Sequence, residues 1–169
     1  MRTTVNLDQD LIEQAQRLSG LTERSALIRE GLKALIERES ARRLARLGGS
    51  EPQVQPVVRR RPDPALVEAL EAGRVLMHPF VIGELACGNL ARRAEVLALC
   101  VALPSAPTAT DAEALGFIEQ YGLMGRGIGY IDVHLLAATA LAGDARLLTR
   151  DKRLAAIAVE LRLAWHTPH

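Results

Sequence analysis

The chain is poor in aromatic residues and cysteine and has no long apolar run. Its 169 residues include two Phe, two Tyr and one Trp, so we expect a core of Leu, Ala, Val and Ile. Cys87 and Cys100 lie in Leu- and Ala-rich surroundings without partners at metal-ligand spacing, which favours reduced thiols over a disulfide framework or a zinc site. With no segment long enough to span a bilayer and no apolar leader, we expect a cytoplasmic protein without a membrane partner.

A net charge of +1 conceals an uneven distribution of charge. Residues 1–64 hold 12 basic and 9 acidic side chains, whereas residues 65–169 hold 9 and 11. A basic N-terminal part suits a chain that meets nucleic acid at one end. The change falls within "EPQVQPVVRRRPDP", which contains four of the eight prolines and is therefore predicted to be a non-helical connector. We expect two units joined by this segment.

The first unit has the pattern strand, helix, turn, helix. Apolar and polar residues alternate in "RTTVNL" (residues 2–7), which predicts a half-buried strand. Asp8 is placed to cap a first helix that Gly20 ends, and Thr22 is placed to cap a second helix over about residues 23–39. Because so small a unit buries little surface alone, we expect two copies to pair their strands in a symmetric dimer.

The polar face of that strand carries side chains that read DNA bases. Arg2, Thr4 and Asn6 have the donors and acceptors that recognise base edges in the major groove. The turn before the second helix presents backbone amides and Ser25, which suit a phosphate. The alternative is an ordinary edge strand with a solvated polar face, and the residues alone leave both interpretations open.

The second unit alternates helices with short apolar segments. Four segments are candidate strands, although the second is equally a loop: "RVLMH" (74–78), "SAPTA" (105–109), "ARLLT" (145–149) and "LRLAW" (161–165). Strands separated by helices predict a parallel sheet with α/β layering. Thr110 and Glu113 predict a capping box at the start of one of the intervening helices.

Three acidic residues stand where such a sheet would bring them together. Glu84 follows the first strand, Asp132 follows the glycine-rich "GRGIG", and Asp151 follows the third strand. Ligands of open parallel sheets bind at the carboxyl ends of the strands, and converging carboxylates suit Mg²⁺ or Mn²⁺, which can activate water. The alternative is that both aspartates are helix N-caps and that Glu84 is a surface residue.

Two segments of the first unit resemble a known family. "MRTTVNLDQDLIEQAQRLSG" and "ALIREGLKALIERESARRLARLGGS" are similar to VapB-type antitoxins of the ribbon-helix-helix class. The resemblance implies a dimeric operator-binding domain over residues 1–40, with Arg2, Thr4 and Asn6 as base readers. It also implies a toxin-binding tail and linker over residues 41–64. In that family a tail arginine commonly enters the toxin's acidic site, and the candidates here are Arg42, Arg43 and Arg46.

Residues 63–165 resemble a second family, which places a PIN-like ribonuclease domain at residues 65–169. "LEAGRVLMHPFVIGELACGNL", "GRGIGYIDVHLLAATAL" and "ARLLTRDKRLAAIAVELRL" closely resemble VapC-type toxins, which are PIN-domain ribonucleases. The resemblance implies RNA cleavage with Mg²⁺ or Mn²⁺ and assigns three of four acidic positions to Glu84, Asp132 and Asp151. The family's first strand, which lies mid-sheet and ends in a "DTS" aspartate, is missing. The nearest acid, Asp63, precedes a proline, and "VQPVV" carries no carboxylate with which to fill the vacant strand position.

These observations predict a toxin–antitoxin fusion with a ribbon-helix-helix domain followed by an incomplete PIN-like parallel-sheet α/β domain. Its expected partners are operator DNA, a second or further copies of the chain, cognate toxin or antitoxin chains, and RNA as a substrate cleaved weakly or not at all. The alternative is an active ribonuclease that tolerates the missing carboxylate or takes it from Asp63, and that its own tail inhibits. A third hypothesis is a DNA-binding regulator whose C-terminal part serves folding or oligomerisation.

Overall fold

Eight α-helices make up most of the part of the chain that the structure, a computed structural model, describes, namely residues 7–49 and 63–165. None of the helices in these two ranges is long and apolar enough to cross a membrane. The helices are α1 (Gln9–Ser19), α2 (Arg24–Gly49), α3 (Pro64–Glu71), α4 (Pro79–Cys87), α5 (Arg93–Val101), α6 (Asp111–Tyr121), α7 (Tyr130–Leu141) and α8 (Lys152–Glu160).

The first helix begins and ends where the sequence predicts. The Asp8 side chain accepts hydrogen bonds from two backbone amides of the first turn, and Gly20 ends the helix with φ 73°, a left-handed conformation that glycine adopts without steric cost. Glu23, rather than the predicted Thr22, caps α2, since its carboxylate accepts from the amides of Ser25 at 3.1 Å and Ala26 at 2.8 Å. The predicted strand over residues 2–7 lies largely outside the described residues.

Helix α2 continues well beyond the predicted end near residue 39. Its 26 residues extend for about 39 Å at 1.5 Å per residue and include the basic tail. The continuation is packed, because Ala41 and Ala45 are buried against Leu70 and Leu103. Small side chains let the tail approach the second unit closely, so tertiary contact adds to the helix-forming tendency of the tail.

The predicted parallel sheet is wrong for the described residues. Strand-like pairing there is confined to two isolated parallel bridges, Met77 with Ser105 and Leu147 with Ala164. At the first bridge, the Met77 amide donates to the Pro104 carbonyl at 2.8 Å and the Ala106 amide donates to the Met77 carbonyl at 2.9 Å. The observed architecture is therefore helical, with four extended segments paired two by two.

The predicted sheet does not form among the described residues because a sheet requires several adjacent strands of sufficient length. All four predicted strands take part in a bridge, and both bridges run parallel, but each pair meets at one position only. Pairing propagates when strands lie side by side in sufficient number and length, and the strand that the family resemblance puts mid-sheet is missing from the sequence. The segment "VQPVV", considered for that position, lies outside the described residues.

The largest core lies among α6, α7 and α8. At its centre Ala114, Leu136 and Ala158 have no exposed surface and Ile157 is 2% exposed. The predicted capping box starts α6, where the Glu113 amide donates to the Thr110 hydroxyl oxygen and the Thr110 amide donates to the Glu113 carboxylate. This core supports the start of α7 and the start of α8, the two places where Asp132 and Asp151 stand.

Candidate acidic site and arginine tail

Glu84 and Asp132 line one open cavity. The cavity measures about 470 Å³ and lies between α4 and α7, and its other lining residues are apolar: Val81, Leu85, Ile131 and Leu135. Glu84 stands in the second half of α4 and Asp132 in the first turn of α7. The packing of these two helices therefore brings together two of the three acids that the sequence singled out.

The Asp132 carboxylate is anchored through one oxygen. Its Oδ2 accepts a hydrogen bond from the Gly129 amide at 2.9 Å, which satisfies one of the free donors at the start of α7. No other hydrogen bond or ion pair to Asp132, and none to Glu84, comes from the described residues. One oxygen of Asp132 and both oxygens of Glu84 therefore have no partner there.

Asp151 stands at the start of α8 as its N-cap. Its Oδ1 accepts from the amides of Arg153 at 2.9 Å and Leu154 at 2.8 Å. Asp151 is not part of the lining that Glu84 and Asp132 share. Asp151 is therefore the helix N-cap that the alternative interpretation of the sequence expected, whereas Asp132 is the third residue of α7 and accepts from the amide of the N-cap residue Gly129.

The described residues do not supply a complete ligand set for a metal ion. Within residues 7–49 and 63–165, no three His, Cys, Asp or Glu side chains are grouped so that they could hold one. Mg²⁺ is usually held by one or two carboxylates together with substrate phosphates and water, so the Glu84–Asp132 pair provides half of a site in an otherwise apolar lining. The residues present fit a divalent cation only in part.

Asp63, considered as a substitute for the missing aspartate, is engaged elsewhere. Its Oδ1 accepts from the Ala65 amide at 3.0 Å and so caps α3, while its Oδ2 lies 3.3 Å from Nε of Arg150. Arg150 immediately precedes Asp151 along the chain. The end of the connector is thus fastened to the segment that leads into α8, with both oxygens of Asp63 in use.

The tail arginines contact acids other than the three predicted site residues. Nη2 of Arg43 lies 2.6 Å from Oε1 of Glu95 on α5, and Arg92 pairs with the other oxygen of Glu95 at 2.7 Å. Arg42 pairs with Glu39 in its own helix at 2.9 Å. The remaining candidate, Arg46, donates from Nε to the carbonyl of residue 42 at 3.3 Å. Sequence reasoning missed Glu95, since no local pattern links an acid on α5 to an arginine about 50 residues earlier.

Of the four predicted DNA-contacting residues, the structure describes only Ser25. Arg2, Thr4 and Asn6 lie outside the described residues. The Ser25 hydroxyl donates to the Glu23 carboxylate, which also accepts from the amides of Ser25 and Ala26. These hydrogen bonds, that of the Ser25 hydroxyl first, hold the pKa of Glu23 below its usual value. A carboxylate thus occupies the amides that we expected to be open to phosphate.

A buried histidine pair, which the sequence did not single out as a unit, joins α4 to α7. Nδ1 of His78 accepts from the Phe80 amide at 3.1 Å and caps α4, while Nε2 of His134 lies 3.6 Å from Oδ1 of Asp111. The Phe80 ring packs edge-on against both imidazoles, with centroids 5.2 and 4.9 Å apart. Burial, with a smaller effect of His134, lowers the pKa of His78. This cluster braces the two helices that carry Glu84 and Asp132.

Comparison with known proteins accounts for both parts of the chain. Residues 1–47 match the family model described as the bacterial antitoxin of type II TA system, VapB. Antitoxin VapB32 of Mycobacterium tuberculosis (strain H37Rv) is 53% identical over 64 residues, which is 38% of this chain and 98% of the relative. Ribonuclease VapC32 of the same strain is 44% identical over 105 residues, which is 62% of this chain and 85% of the relative. No solved structure matches the chain significantly.

These matches define a toxin–antitoxin fusion, in which both partners of a type II system share one polypeptide. The chain belongs to the VapB and VapC families, with the VapB-type segment first and the VapC-type segment second. The antitoxin relative is matched almost completely, whereas the toxin relative is matched over a smaller share of its length. This inequality agrees with the absence of a first strand and its "DTS" aspartate from the sequence.

Proposed function

We propose that residues 1–40 bind operator DNA as a homodimer, in the cytoplasm where the DNA lies. The support is an apolar surface that the single chain leaves uncovered on α1 and on the N-terminal half of α2. Leu11 is 64% exposed, Leu18 82%, Leu32 55% and Ile36 57%. Exposed apolar side chains that recur on neighbouring helices suit a protein interface, and in this proposal a second copy of the same unit covers them while the strands expected over residues 2–7 pair.

Operator binding depends on the polar face of that strand under this proposal. The double variant Arg2→Ala, Asn6→Ala in the full chain is expected to lose sequence-specific binding, at about 1–3 kcal/mol for each base contact. Electrophoretic mobility shift at fixed salt is the measurement. The control is Arg17→Ala, which removes a charge from the last turn of α1 and is expected to leave the preference for the operator intact. Unchanged operator binding by the double variant contradicts the ribbon assignment.

For the second half, residues 65–169, we propose a ribonuclease whose activity is weak or lost. The observation that carries this proposal is the incomplete acidic site: Glu84 and Asp132 share one cavity, while Asp151 caps α8 outside its lining. The sequence also lacks the first aspartate. A metal-bound water needs a fixed set of ligands to be activated and aimed, and only two of the four carboxylates that the family resemblance implies line this cavity. The metal that its two candidate carboxylate ligands would suit is Mg²⁺ or Mn²⁺.

A cleavage assay separates this proposal from the alternative of an active, tail-inhibited enzyme when it also includes the full chain with Arg42, Arg43 and Arg46 changed to Ala, because the tail of that chain no longer carries the arginines that would occupy an acidic site. Single-stranded RNA is incubated with the full chain and Mg²⁺ or Mn²⁺, beside the variant Asp132→Asn and the control Asp144→Asn, which changes an exposed loop acid beyond the C-terminal end of α7. We expect little cleavage by any of the four. Robust metal-dependent cleavage that Asp132→Asn abolishes and Asp144→Asn retains contradicts the proposal and favours an active nuclease.

The tail over residues 41–64 belongs to this proposal as the antitoxin's contact with its own toxin half. The support is the burial of Ala41 and Ala45 against α3 and α5 and the Arg43–Glu95 ion pair. The tail and the surface of α3 and α5 that it contacts belong to one chain. The effective concentration of the tail at that surface therefore exceeds the concentration that a separate partner has at ordinary cellular levels. Inhibition of any residual activity by Arg42, Arg43 or Arg46 would then act through this docked tail.

A further inference from the structure

We infer that Arg153 is a positioning residue that sets how the loop before Asp132 lies against the start of the Asp151 helix. This inference rests on the proposed function in one respect, namely that Asp132 and Asp151 are both candidate acids of the ribonuclease half. It is drawn from contacts of Arg153 that neither the acidic-site assignment nor the family likeness uses. Arg153 makes the two contacts concerned, one through its side chain and one through its backbone amide.

The side chain of Arg153 reaches the glycine-rich loop. Its Nη1 lies 3.4 Å from the Gly127 carbonyl oxygen and donates to it. Two residues further on, the Gly129 amide donates to Oδ2 of Asp132 at 2.9 Å. The guanidinium therefore holds the segment from which the Asp132 carboxylate takes its hydrogen bond.

The backbone of Arg153 is bound to the other aspartate. Its amide donates to Oδ1 of Asp151 at 2.9 Å as part of the α8 cap. Arg153 thus contacts Asp151 through its main chain and the Asp132 loop through its side chain. Among the hydrogen bonds between described residues, those of Arg153 alone reach both Asp151 and the 127–129 segment.

Two features of Gly127 make room for its contact with the Arg153 side chain. Its φ of 75° lies in the left-handed region, where a side chain is strained. A Cβ at this position would also stand 3.0 Å from Nη1 and 3.3 Å from Cδ of Arg153, closer than ordinary van der Waals contact. A side chain there would require the Arg153 side chain to shift by a few tenths of an ångström, so the close approach of the arginine depends on the glycine.

A second arginine ties the same loop to the far end of α8 and provides a control. Nη2 of Arg126 lies 2.9 and 2.8 Å from the two carboxylate oxygens of Glu160, in the last turn of the helix. This pair secures the loop without contacting Asp151. It should therefore contribute to stability, while Arg153 alone sets the relation between the two aspartates.

The test is amide hydrogen exchange of the full chain by NMR, without metal or RNA, at a temperature well below the unfolding midpoint of every variant. Arg153→Ala is expected to speed exchange of the Gly129 amide about tenfold, the equivalent of one lost hydrogen bond, and to shift the Asp132 side-chain carboxyl resonance. Arg153→Lys, which keeps a donor, should restore most of the protection. Arg153→Gln, which keeps part of the stem, serves if the alanine variant does not fold.

Two variants guard against a merely structural effect. Lys152→Ala, at the neighbouring exposed position, should leave Gly129 unchanged, and Arg126→Ala should lower the unfolding midpoint while leaving the Asp132 resonance in place. Unchanged exchange at Gly129 in Arg153→Ala and Arg153→Gln overturns the inference, as does an equal effect of Arg126→Ala. Because neither metal nor RNA is present, the absence or presence of cleavage in the assay above does not alter this result.

Discussion

The docked tail and the acidic cavity both bring distant parts of the chain together, but they differ in how complete they are. At the tail, Ala41 is 2% exposed and Ala45 is 4% exposed, and Arg43 meets Glu95 across the contact. At the cavity, two carboxylates face an open space of about 470 Å³, and their single hydrogen bond from the described residues is the one that the Gly129 amide donates to Asp132. The chain has kept the contact between antitoxin and toxin halves in a more complete form than the site for chemistry.

The two regions demand different things of a sequence. A helix docks when small residues recur on one face and an apolar surface receives them, so many sequences satisfy it. A metal centre needs several carboxylates from separate segments at fixed distances, and the loss of one segment leaves it incomplete. Fusion with loss of the first toxin strand is therefore expected to spare docking and to damage the site.

Overpacking the tail is expected to have the largest effect on this comparison. Ala45→Leu puts three additional carbons into the buried contact with α3 and α5, and we expect a loss of about 1–3 kcal/mol of unfolding free energy. The matched control, Ala34→Leu, lies on an exposed part of the same helix and should change stability by less than about 0.5 kcal/mol. Urea denaturation of both variants measures the difference, and equal midpoints would show that the tail contact is not part of the folded core.

Acidification is expected to lower the free energy of unfolding mainly through the His78–His134 pair beside the acidic cavity. Because burial lowers the pKa of His78, the unfolded chain takes up a proton before the folded chain does. The contribution of neutral His78 to the free energy of unfolding is therefore intact above the ordinary histidine pKa of 6.5 and is lost as the pH falls below it.

Urea midpoints at pH 7.5 and pH 5.5 check this direction. His78→Gln, which has no titrating group, should flatten the dependence over that interval, whereas the terminal His169→Gln should not. A His78→Gln variant with the same pH dependence as the parent would exclude His78 as its source.

The smallest effect is expected from the ion pair at the tail. The Arg43 side chain is 61% exposed and that of Glu95 is 25% exposed, so water screens the attraction, and the coupling should be below about 1 kcal/mol. A double-mutant cycle with Arg43→Gln, Glu95→Gln and the double variant isolates the pairwise energy. A coupling well above that value would assign the specificity of docking to charge rather than to the packing of Ala41 and Ala45.

Local signals predicted local structure well. Asp8, Gly20 and the Thr110–Glu113 capping box mark the ends of helices as expected, because a cap needs only residues within one turn. The predicted end of α2 was wrong because contact with α3 and α5 stabilises the tail as a helix. That contact exists only in the folded chain. The family likenesses carried by the quoted segments were confirmed by the comparisons.

The parallel sheet was wrong for a reason of the opposite kind. "RVLMH" and "ARLLT" have strand composition, yet a strand is stable only beside neighbours of sufficient length, and these depend on segments far away in the chain. The joint placement of Glu84 and Asp132 on one cavity fits the expected convergence of acids, whereas Asp151 lies outside that lining. Glu95 and the His78–His134 brace had no local signal at all.

The sequence by itself determined the order of the two halves, their families, both ends of α1 and the start of α6, because each depends on residues that are neighbours along the chain. Only the tertiary structure decided that the tail docks on α5 through Glu95, that two acids share a cavity while the third caps a helix, and that the strands pair at single positions. These outcomes depend on which surfaces meet, and surfaces meet through residues separated by tens of positions, whose contacts are favoured only when the whole chain is folded.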